Sequence, residues 1–178
     1  WDEGAEAKNM VLCDFSQKRL NVLKENLERV GMREAEIIHG DVTQFALGKN
    51  FTKIVLDAPC SSLGVLRKHP ESKWLRSPQD IVTCAAEQER LLEGLAPSVA
   101  PGGELIYIVC SFELEETSQQ IEKFLSKHTN FSVVPLNGRI HDYYRKYVTQ
   151  AQEFLVLPGN HDGLEGFYAV ILRRDNSA

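Results

Sequence analysis

Residues 53–59 read Lys-Ile-Val-Leu-Asp-Ala-Pro, a short apolar run that ends in an acidic residue and a proline. After a polar, basic loop, Ser77 and Pro78 mark the start of a helix, because serine caps helices and proline fits their first turn. Residues 101–103, Pro-Gly-Gly, then predict a turn into a second apolar run over 104–109, Glu-Leu-Ile-Tyr-Ile-Val. The order strand, helix, strand predicts two parallel neighbours joined by a right-handed crossover.

The same alternation extends outward along the chain. A helix with a cap at Ser16 and a stop at Gly31 separates the first two strands, and an acid-rich helix start follows residue 112. The predicted strands cover residues 10–15, 35–41, 53–59, 104–109, 131–136 and 166–172. The three helices should turn inward Leu20, Leu23, Leu27 and Val30; Ile81, Cys84, Ala85, Leu91, Leu92 and Leu95; and Leu114, Ile121, Phe124 and Leu125. This pattern predicts the α/β fold class, with a doubly wound, mostly parallel sheet.

Length and composition limit the classes of function. The 178 residues fit a single domain over 1–178, and 43% apolar residues can form a core without disulfides. No apolar run approaches membrane-spanning length and residues 1–4 show no secretory signal, so we expect a soluble, cytoplasmic protein without a membrane partner. The four cysteines lie far apart, which predicts no bound metal. The net charge of −5 requires any contact with nucleic acid to be local.

Acidic residues follow three of the predicted strands. In parallel sheets, ligands bind at the carboxyl ends of the strands, where Asp14, Asp41, Asp57 and Cys110 all lie. Asp14 could accept hydrogen bonds from the hydroxyls of an adenosine ribose, and Asp41 could meet the adenine amino group. Both could equally be ordinary helix caps, a common role of aspartate.

Two cysteines follow the two strands of the central unit. Cys60 lies within Asp57-Ala-Pro-Cys-Ser61, and Cys110 follows the strand at 104–109. Neighbouring strands lie about 5 Å apart, so both thiols could face one cavity within roughly 10 Å of each other. A lone buried cysteine usually packs as a small apolar residue. Two cysteines at adjacent strand ends favour a chemical role instead.

These motifs resemble those of a known family, the Sun/NOL/NOP family of RNA cytosine-5 methyltransferases. Its signature is similar to residues 53–62, Lys-Ile-Val-Leu-Asp-Ala-Pro-Cys-Ser-Ser, and further matches follow in the family's order. They are Gly-Val-Leu-Arg-Lys-His-Pro at 64–70, Lys73-Trp74, Ile-Val-Cys-Ser at 108–111, Glu115-Glu116, Leu157-Pro158 and Gly-Phe-Tyr at 166–168. The His-Pro and Lys-Trp details are most similar to the bacterial Sun-type enzymes of 16S ribosomal RNA.

The resemblance implies a Rossmann-like methyltransferase sheet with an antiparallel last strand, S-adenosylmethionine as cofactor and RNA, most often ribosomal RNA, as substrate. It implies that Cys110 is the nucleophile and that Cys60 assists product release. Asp14, Asp41 and Asp57 would line the cofactor site, and Asp57 would also contact the target cytosine. Such chemistry needs a thiolate, because carbon 5 of cytosine becomes nucleophilic only after a thiolate adds at carbon 6.

The helix start after Cys110 has opposing effects on that thiolate. Exposed amides at a helix start favour negative charge, whereas Glu113, Glu115 and Glu116 oppose it. The sequence leaves open which effect dominates.

A basic loop follows the Asp-x-Pro-Cys motif. Its residues are Arg67, Lys68, His69, Lys73 and Arg76, which surround Trp74. Cations could meet phosphates while the indole stacks on a splayed base. The alternative is a solvated charged loop with a packed tryptophan. The position beside the cysteine motif favours RNA binding, with Arg67, Lys68, Lys73 and Trp74 as candidates.

The chain also departs from the family's pattern. Upstream of the strand that bears Asp14, the family has a first strand and a glycine-rich Pro-Gly-Gly-Lys loop, followed by a helix and a turn. Trp1 to Lys8 look like the end of that helix and the turn, so we expect the strand and the loop to lie outside this chain. We therefore expect a C-terminal portion of the catalytic domain that binds S-adenosylmethionine weakly or not at all and is inactive alone. Val109 stands where the family usually has Thr, and Ser62 stands where it usually has Gly or Ala.

Two other functions compete with this interpretation. One is a noncatalytic methyltransferase-like domain that binds RNA or protein, which the two cysteines and Asp57 disfavour. The other is a cysteine hydrolase, which would need a histidine poised against its thiol. No sequence context connects the five histidines to either cysteine; they are His39, His69, His128, His141 and His161.

Overall fold

The computed structural model describes residues 7–46, 49–160 and 162–176. The chain divides into two compact units, Trp1–Leu47 and Gly48–Ala178. The prediction of one domain over 1–178 stays a prediction, as does that of a helix end over 1–8, of which residues 1–6 lie outside the described residues. Within the described ranges, no helix combines the length and the apolar character needed to cross a membrane.

The first unit is a strand–helix–strand element. Its strands and helices are β1 (Val11–Asp14), α1 (Gln17–Arg29), β2 (Glu36–His39) and α2 (Val42–Ala46). The two strands pair in parallel, as predicted. Ser16 caps α1 by accepting a hydrogen bond from the backbone N–H of Arg19, and Gly31 follows the helix with a φ of +78°. Leu20 and Leu27 are buried as expected, whereas Val30 is 48% exposed because it lies at the helix end.

The second unit contains a five-stranded mixed sheet. Its elements are β3 (Phe51–Asp57), α3 (Ser72–Leu75), α4 (Pro78–Leu95), β4 (Val99–Val109), α5 (Ser118–Lys127), β5 (Phe131–Val133), β6 (Phe154–Val156) and β7 (Phe167–Arg174). The strand order is β3-β4-β7-β5, with β6 also paired to β7. β3 and β4 are parallel, and β7 runs antiparallel to its three partners. The predicted parallel pair and the antiparallel last strand are both confirmed.

Helices α4 and α5 supply much of the core of this unit. Ser77 and Asp80 form a reciprocal capping box at the start of α4, with Pro78 in the first turn. The buried apolar side chains from these helices and β4 are Leu91, Leu92, Leu95, Ile121, Phe124, Val99, Leu105, Tyr107 and Val109. Ile81, Cys84, Ala85 and Leu125 are only partly buried.

Some predicted details were wrong. Residues 101–103 do not form a turn before a strand but lie within β4, where the pairing register with β3 shifts and Gly102 adopts a φ of +73°. Leu114 is 58% exposed because it lies in a short 3-10 helix that precedes α5. The short β6 was not predicted at all, since three residues carry too little periodicity to be recognised.

Candidate active site

The parallel pairing of β3 and β4 brings the two cysteine loops together. Asp57 pairs with Ile108 in the register, and the N–H of Ala58 donates to the carbonyl of Ile108 at 3.0 Å. The loops that leave these strand ends place the Sγ atoms of Cys60 and Cys110 3.1 Å apart. The thiols are thus in direct contact, well within the expected separation of roughly 10 Å.

The loop after Cys60 is held in a tight conformation. Ser62 has a φ of +62°, in the left-handed region that is costly for residues with a Cβ. Glycine would adopt this conformation without strain. The serine hydroxyl lies 3.7 Å from the Sγ of Cys110 and so adds a hydroxyl beside the candidate nucleophile.

The contact between the two thiols changes their acidities in opposite directions. The hydrogen bond from Cys60 is the main reason that the pKa of Cys110 falls to about 6, with a smaller contribution from Ser62, and together they outweigh burial. The same hydrogen bond, together with burial, raises the pKa of Cys60 far above its ordinary value. The contact therefore favours a thiolate on Cys110, with the Cys60 thiol as its hydrogen-bond donor.

The helix after Cys110 starts later than the sequence indicated. The α-helix α5 begins only at Ser118, beyond the 3-10 helix Leu114–Glu116. The hydrogen bond from Cys60 has the largest effect on the pKa of Cys110, and the carboxylate that raises this pKa is that of Asp57, whose effect is smaller.

Asp57 lies at the end of β3 with an exposed side chain. It shares this strand end with Cys60, and its charge acts on Cys110. The three predicted catalytic residues thus lie in one place, and their individual roles stay predictions.

A buried carboxylate links the two cysteine loops, and sequence reasoning missed it. Glu116 is 0% exposed and accepts hydrogen bonds from residues of both loops. In the sequence it stands out only as half of the Glu115-Glu116 motif. A buried glutamine on the otherwise apolar face of α4, Gln88, was the available signal of a polar partner nearby, because buried amides need hydrogen bonds.

The other two candidate cofactor residues lie in the first unit. Asp14 Oδ1 accepts a hydrogen bond from the N–H of Ser16 at 2.7 Å and forms an ion pair with Arg19 at 3.0 Å. Asp41 Oδ1 accepts from the N–H and hydroxyl of Thr43 at 2.9 and 2.8 Å. Asp41 therefore caps the start of α2, which is the alternative role considered from sequence, whereas Asp14 bonds to Ser16, the residue that caps α1. A role of either aspartate in cofactor binding stays a prediction.

The basic loop divides into anchored and exposed cations. Arg67 donates to the carbonyl of Gly163 at 3.1 Å and lies 3.8 Å from a carboxylate oxygen of Glu165. Arg76 donates to the carbonyl of Ser61 at 2.9 Å. Both arginines thus connect the loop to the body of this unit.

The remaining candidates of this loop face solvent. Trp74 is 82% exposed, so the alternative of a packed tryptophan is wrong. The Nζ of Lys73 lies 5.5 Å from the centre of the indole ring. Lys68 is exposed as well. A large exposed aromatic ring among cations is a surface suited to single-stranded nucleic acid.

The described histidines bond elsewhere. His39 contacts the carbonyl of Phe15, and His69, His128 and His141 bond to Glu71, Glu93 and the N–H of Tyr143, respectively. His161 lies outside the described residues. These partners do not support a cysteine hydrolase, in which a histidine would face the thiol.

A family model described as 16S rRNA methyltransferase RsmB/F matches residues 4–173. The chain belongs to this family. It is 35% identical over 162 residues to ribosomal RNA small subunit methyltransferase B of Shewanella oneidensis, an alignment that covers 89% of the chain and 36% of that relative. The structure of PH0851 is similar with a TM-score of 0.82 at 29% identity, over 92% of this chain and 36% of that one. A methyltransferase homologue from Pyrococcus horikoshii is similar with a TM-score of 0.73 at 26% identity, over 92% and 52% of the two chains.

Membership of the RsmB/F family confirms the resemblance inferred from the cysteine motifs and the Rossmann-like methyltransferase sheet. The chain spans little more than a third, 36%, of the length of the Shewanella relative.

Proposed function

We propose that the chain takes part in methyl transfer from S-adenosylmethionine to carbon 5 of a cytosine in ribosomal RNA, through a covalent adduct with Cys110. The observation that carries the proposal is the 3.1 Å contact between the Cys60 and Cys110 thiols, which favours a thiolate on Cys110 at neutral pH. An enzyme of this class needs such a thiolate before the base can react.

Cofactor binding is assigned to the aspartates at the strand ends. Asp14 and Asp41 follow the paired parallel strands β1 and β2, and acidic residues at such strand ends fit the hydroxyls and the amino group of an adenosine. Asp57 is the third candidate. When bound, S-adenosylmethionine supplies an activated methyl group on a positive sulfonium.

The residues of the second unit supply the remaining chemistry. The Cys110 thiolate adds to carbon 6 of cytosine, and the electron pair displaced from the ring double bond makes carbon 5 nucleophilic. Asp57 contacts the ring of the target cytosine in this proposal. Carbon 5 would then take the methyl group, with the electron pair of the broken sulfur–methyl bond left on the sulfur of the cofactor. A base removes the carbon 5 proton, and the bond between carbon 6 and the Cys110 sulfur breaks as the double bond reforms.

The thiol contact also explains how Cys60 could act late in the reaction. Its pKa is raised mainly by donation to Cys110, so it stays protonated while Cys110 is a thiolate. Once the Cys110 sulfur is bonded to carbon 6, that sulfur no longer carries the charge. The main cause of the raised pKa is then removed, so the Cys60 proton is released more readily and its sulfur can serve as the base.

Substitution of the two cysteines tests this proposal, in the protein as its gene encodes it and with ribosomal RNA. Cys110→Ala should abolish both methylation and covalent capture of RNA. Cys60→Ala should accumulate the adduct, and should need a higher pH to do so, because removal of the Cys60 hydrogen bond raises the pKa of Cys110. Cys84→Ala, which removes another partly buried cysteine, is the control.

Gel electrophoresis under denaturing conditions measures the RNA adduct, and transfer of radioactive methyl groups measures activity. An adduct in Cys110→Ala but not in Cys60→Ala would reverse the two roles. Lack of any adduct in the unsubstituted protein and in Cys60→Ala would instead favour a noncatalytic binding domain.

A further inference from the structure

Glu116 is the centre of a buried polar cluster beside the two cysteines. Its side chain is 0% exposed, and its Oε1 accepts hydrogen bonds from the N–H of Ser61 at 2.7 Å and from Gln88 at 3.1 Å. Its Oε2 accepts from the hydroxyls of Ser61 and Ser111, both at 2.5 Å. Four donors match the acceptor capacity of a carboxylate, which offsets the cost of burying it.

The donors come from both cysteine loops. Ser61 directly follows Cys60, and Ser111 directly follows Cys110. One carboxylate thus bonds to the residue next to each thiol, and the two serine hydroxyls also lie 3.3 Å from each other. Movement of either loop would break hydrogen bonds to a buried carboxylate, which is costly.

Further contacts hold the carboxylate itself in place. The hydroxyl of Tyr107, on β4, donates to the backbone carbonyl of Glu116 at 2.8 Å. Gln88, on α4, donates to the carbonyl of Pro59 at 2.9 Å as well as to Glu116. Helix α4 and both loops therefore bond to the side chain of Glu116, and β4 bonds to the backbone of the same residue. The carboxylate is thus connected to the core as well as to the loops.

We propose that Glu116 is a positioning residue that holds the thiols of Cys60 and Cys110 in contact. The proposal rests on the proposed function, in which this contact prepares Cys110 as the nucleophile. Glu116 contacts the loops and not the thiols, so it acts through Ser61 and Ser111. Without the carboxylate, the two loops have no common acceptor, the thiols separate, and Cys110 is deprived of its main hydrogen-bond donor.

Other ionisable groups lie around Glu116 and these thiols. Asp57 acts on Cys110, Tyr107 interacts with both Cys60 and Glu116, and Glu116 also interacts with Glu113 and with Cys84, on which Arg76 acts as well. Glu116→Gln leaves all of these residues in place and keeps the shape of the side chain. It replaces one acceptor oxygen by a donor, and it removes a charge that raises the pKa values of Cys84, Tyr107 and Glu113. Ser111→Ala removes a single hydrogen bond to the carboxylate from the loop of the nucleophile.

The test is the pH dependence of alkylation of the 178-residue chain by iodoacetamide, followed at each cysteine by peptide mass spectrometry. Cys110 should be labelled with a midpoint of about 6 in the unsubstituted chain. Cys13, whose pKa is raised mainly by burial and not by Glu116, is the internal reference. In Glu116→Gln the Cys110 midpoint should rise by about two pH units, which slows labelling at pH 7 about tenfold. Ser111→Ala should give a smaller rise.

The matched control is Glu115→Gln, which removes the same charge from an exposed neighbour in the same 3-10 helix and should leave the profile unchanged. Circular dichroism establishes that each variant is folded. The proposal is overturned by folded Glu116→Gln and Ser111→Ala variants with the unsubstituted profile, or by a failure of both to fold, which would give Glu116 a purely structural role. Neither RNA nor cofactor is present, so failure of methyl transfer would not affect the result.

Discussion

Gly64, in the loop after Cys60, has no space for a side chain. Its N–H donates to the carbonyl of Cys110 at 3.0 Å, and its carbonyl accepts from the N–H of Gly166 at 2.7 Å. A Cβ at this position would lie 2.2 Å from the carbonyl oxygen of Gly166 and 2.8 Å from that of Cys110. Both neighbours are backbone atoms, so they cannot move aside as a flexible side chain could.

Gly64→Ala should therefore destabilise the protein by about 3 kcal/mol or more, since the backbone of three segments must shift to admit one methyl group. Urea unfolding followed by circular dichroism measures this decrease in stability. Gly138→Ala is a suitable comparison, because Gly138 has open space around its Cα and a φ of +77°. That substitution should cost only about 1 kcal/mol of conformational strain. Equal decreases in the two variants would contradict the steric explanation.

At the scale of elements, β4 and β7 are joined by a charged cluster at one end of their pairing. Glu104 on β4 forms ion pairs with Arg173 on β7 at 2.6 Å and with Arg139 at 2.9 Å. Burial alone would raise the pKa of Glu104, but the two arginines outweigh burial, so its pKa lies below the ordinary value. The cluster therefore contributes stability above the pKa of the unfolded carboxyl, and this stability disappears as the pH falls through the folded pKa.

Glu104→Gln should consequently reduce the dependence of the unfolding free energy on pH below about pH 5. The unfolding free energies of the unsubstituted and Glu104→Gln proteins should differ most at neutral pH. They should converge in acid, where Glu104 is protonated in both the folded and the unfolded state. Urea unfolding across this pH range measures the difference. Glu25→Gln, at an exposed site of α1, controls for the change in net charge. A constant difference at every pH would show that Glu104 acts through packing alone.

At the scale of the whole molecule, the negative net charge of −5 contrasts with the exposed cations beside the cysteine loops. Lys68, Lys73 and Trp74 face solvent, whereas Arg67 is held by Gly163 and Glu165. A protein with this overall charge repels RNA except at such a local patch. The two lysines, more than Arg67, are thus the candidates for phosphate binding in the proposed function.

Lys68→Ala combined with Lys73→Ala should weaken RNA binding and flatten its dependence on salt, by roughly one slope unit for each phosphate that the protein no longer neutralises. Filter binding at several salt concentrations measures both quantities. The same change of charge at two exposed lysines of α1, Lys18 and Lys24, is the control and should leave the slope nearly unchanged. A slope that falls equally in both double variants would indicate a general charge effect.

Local signals in the sequence determined the order of the elements and the identity of the two thiols. The Ser16 cap and Gly31 stop of α1, and the Ser77 capping box of α4, are each formed by residues close together along the chain, so they can be recognised there. The apolar runs of β3 and β4 likewise predict their parallel pairing. The positions of Cys60 and Cys110 at the ends of these strands then follow from the connection between them.

Only the tertiary structure decided how those residues act. Glu116 lies next to Glu115 in the sequence, yet one side chain is buried and the other exposed. Three of the four donors to Glu116 come from the distant residues Ser61 and Gln88. The acidity of Cys110 depends on a contact with a residue 50 positions away. Nearby residues set local conformation, whereas burial, a shared carboxylate and the distance between two thiols depend on packing between distant segments, which no local pattern encodes.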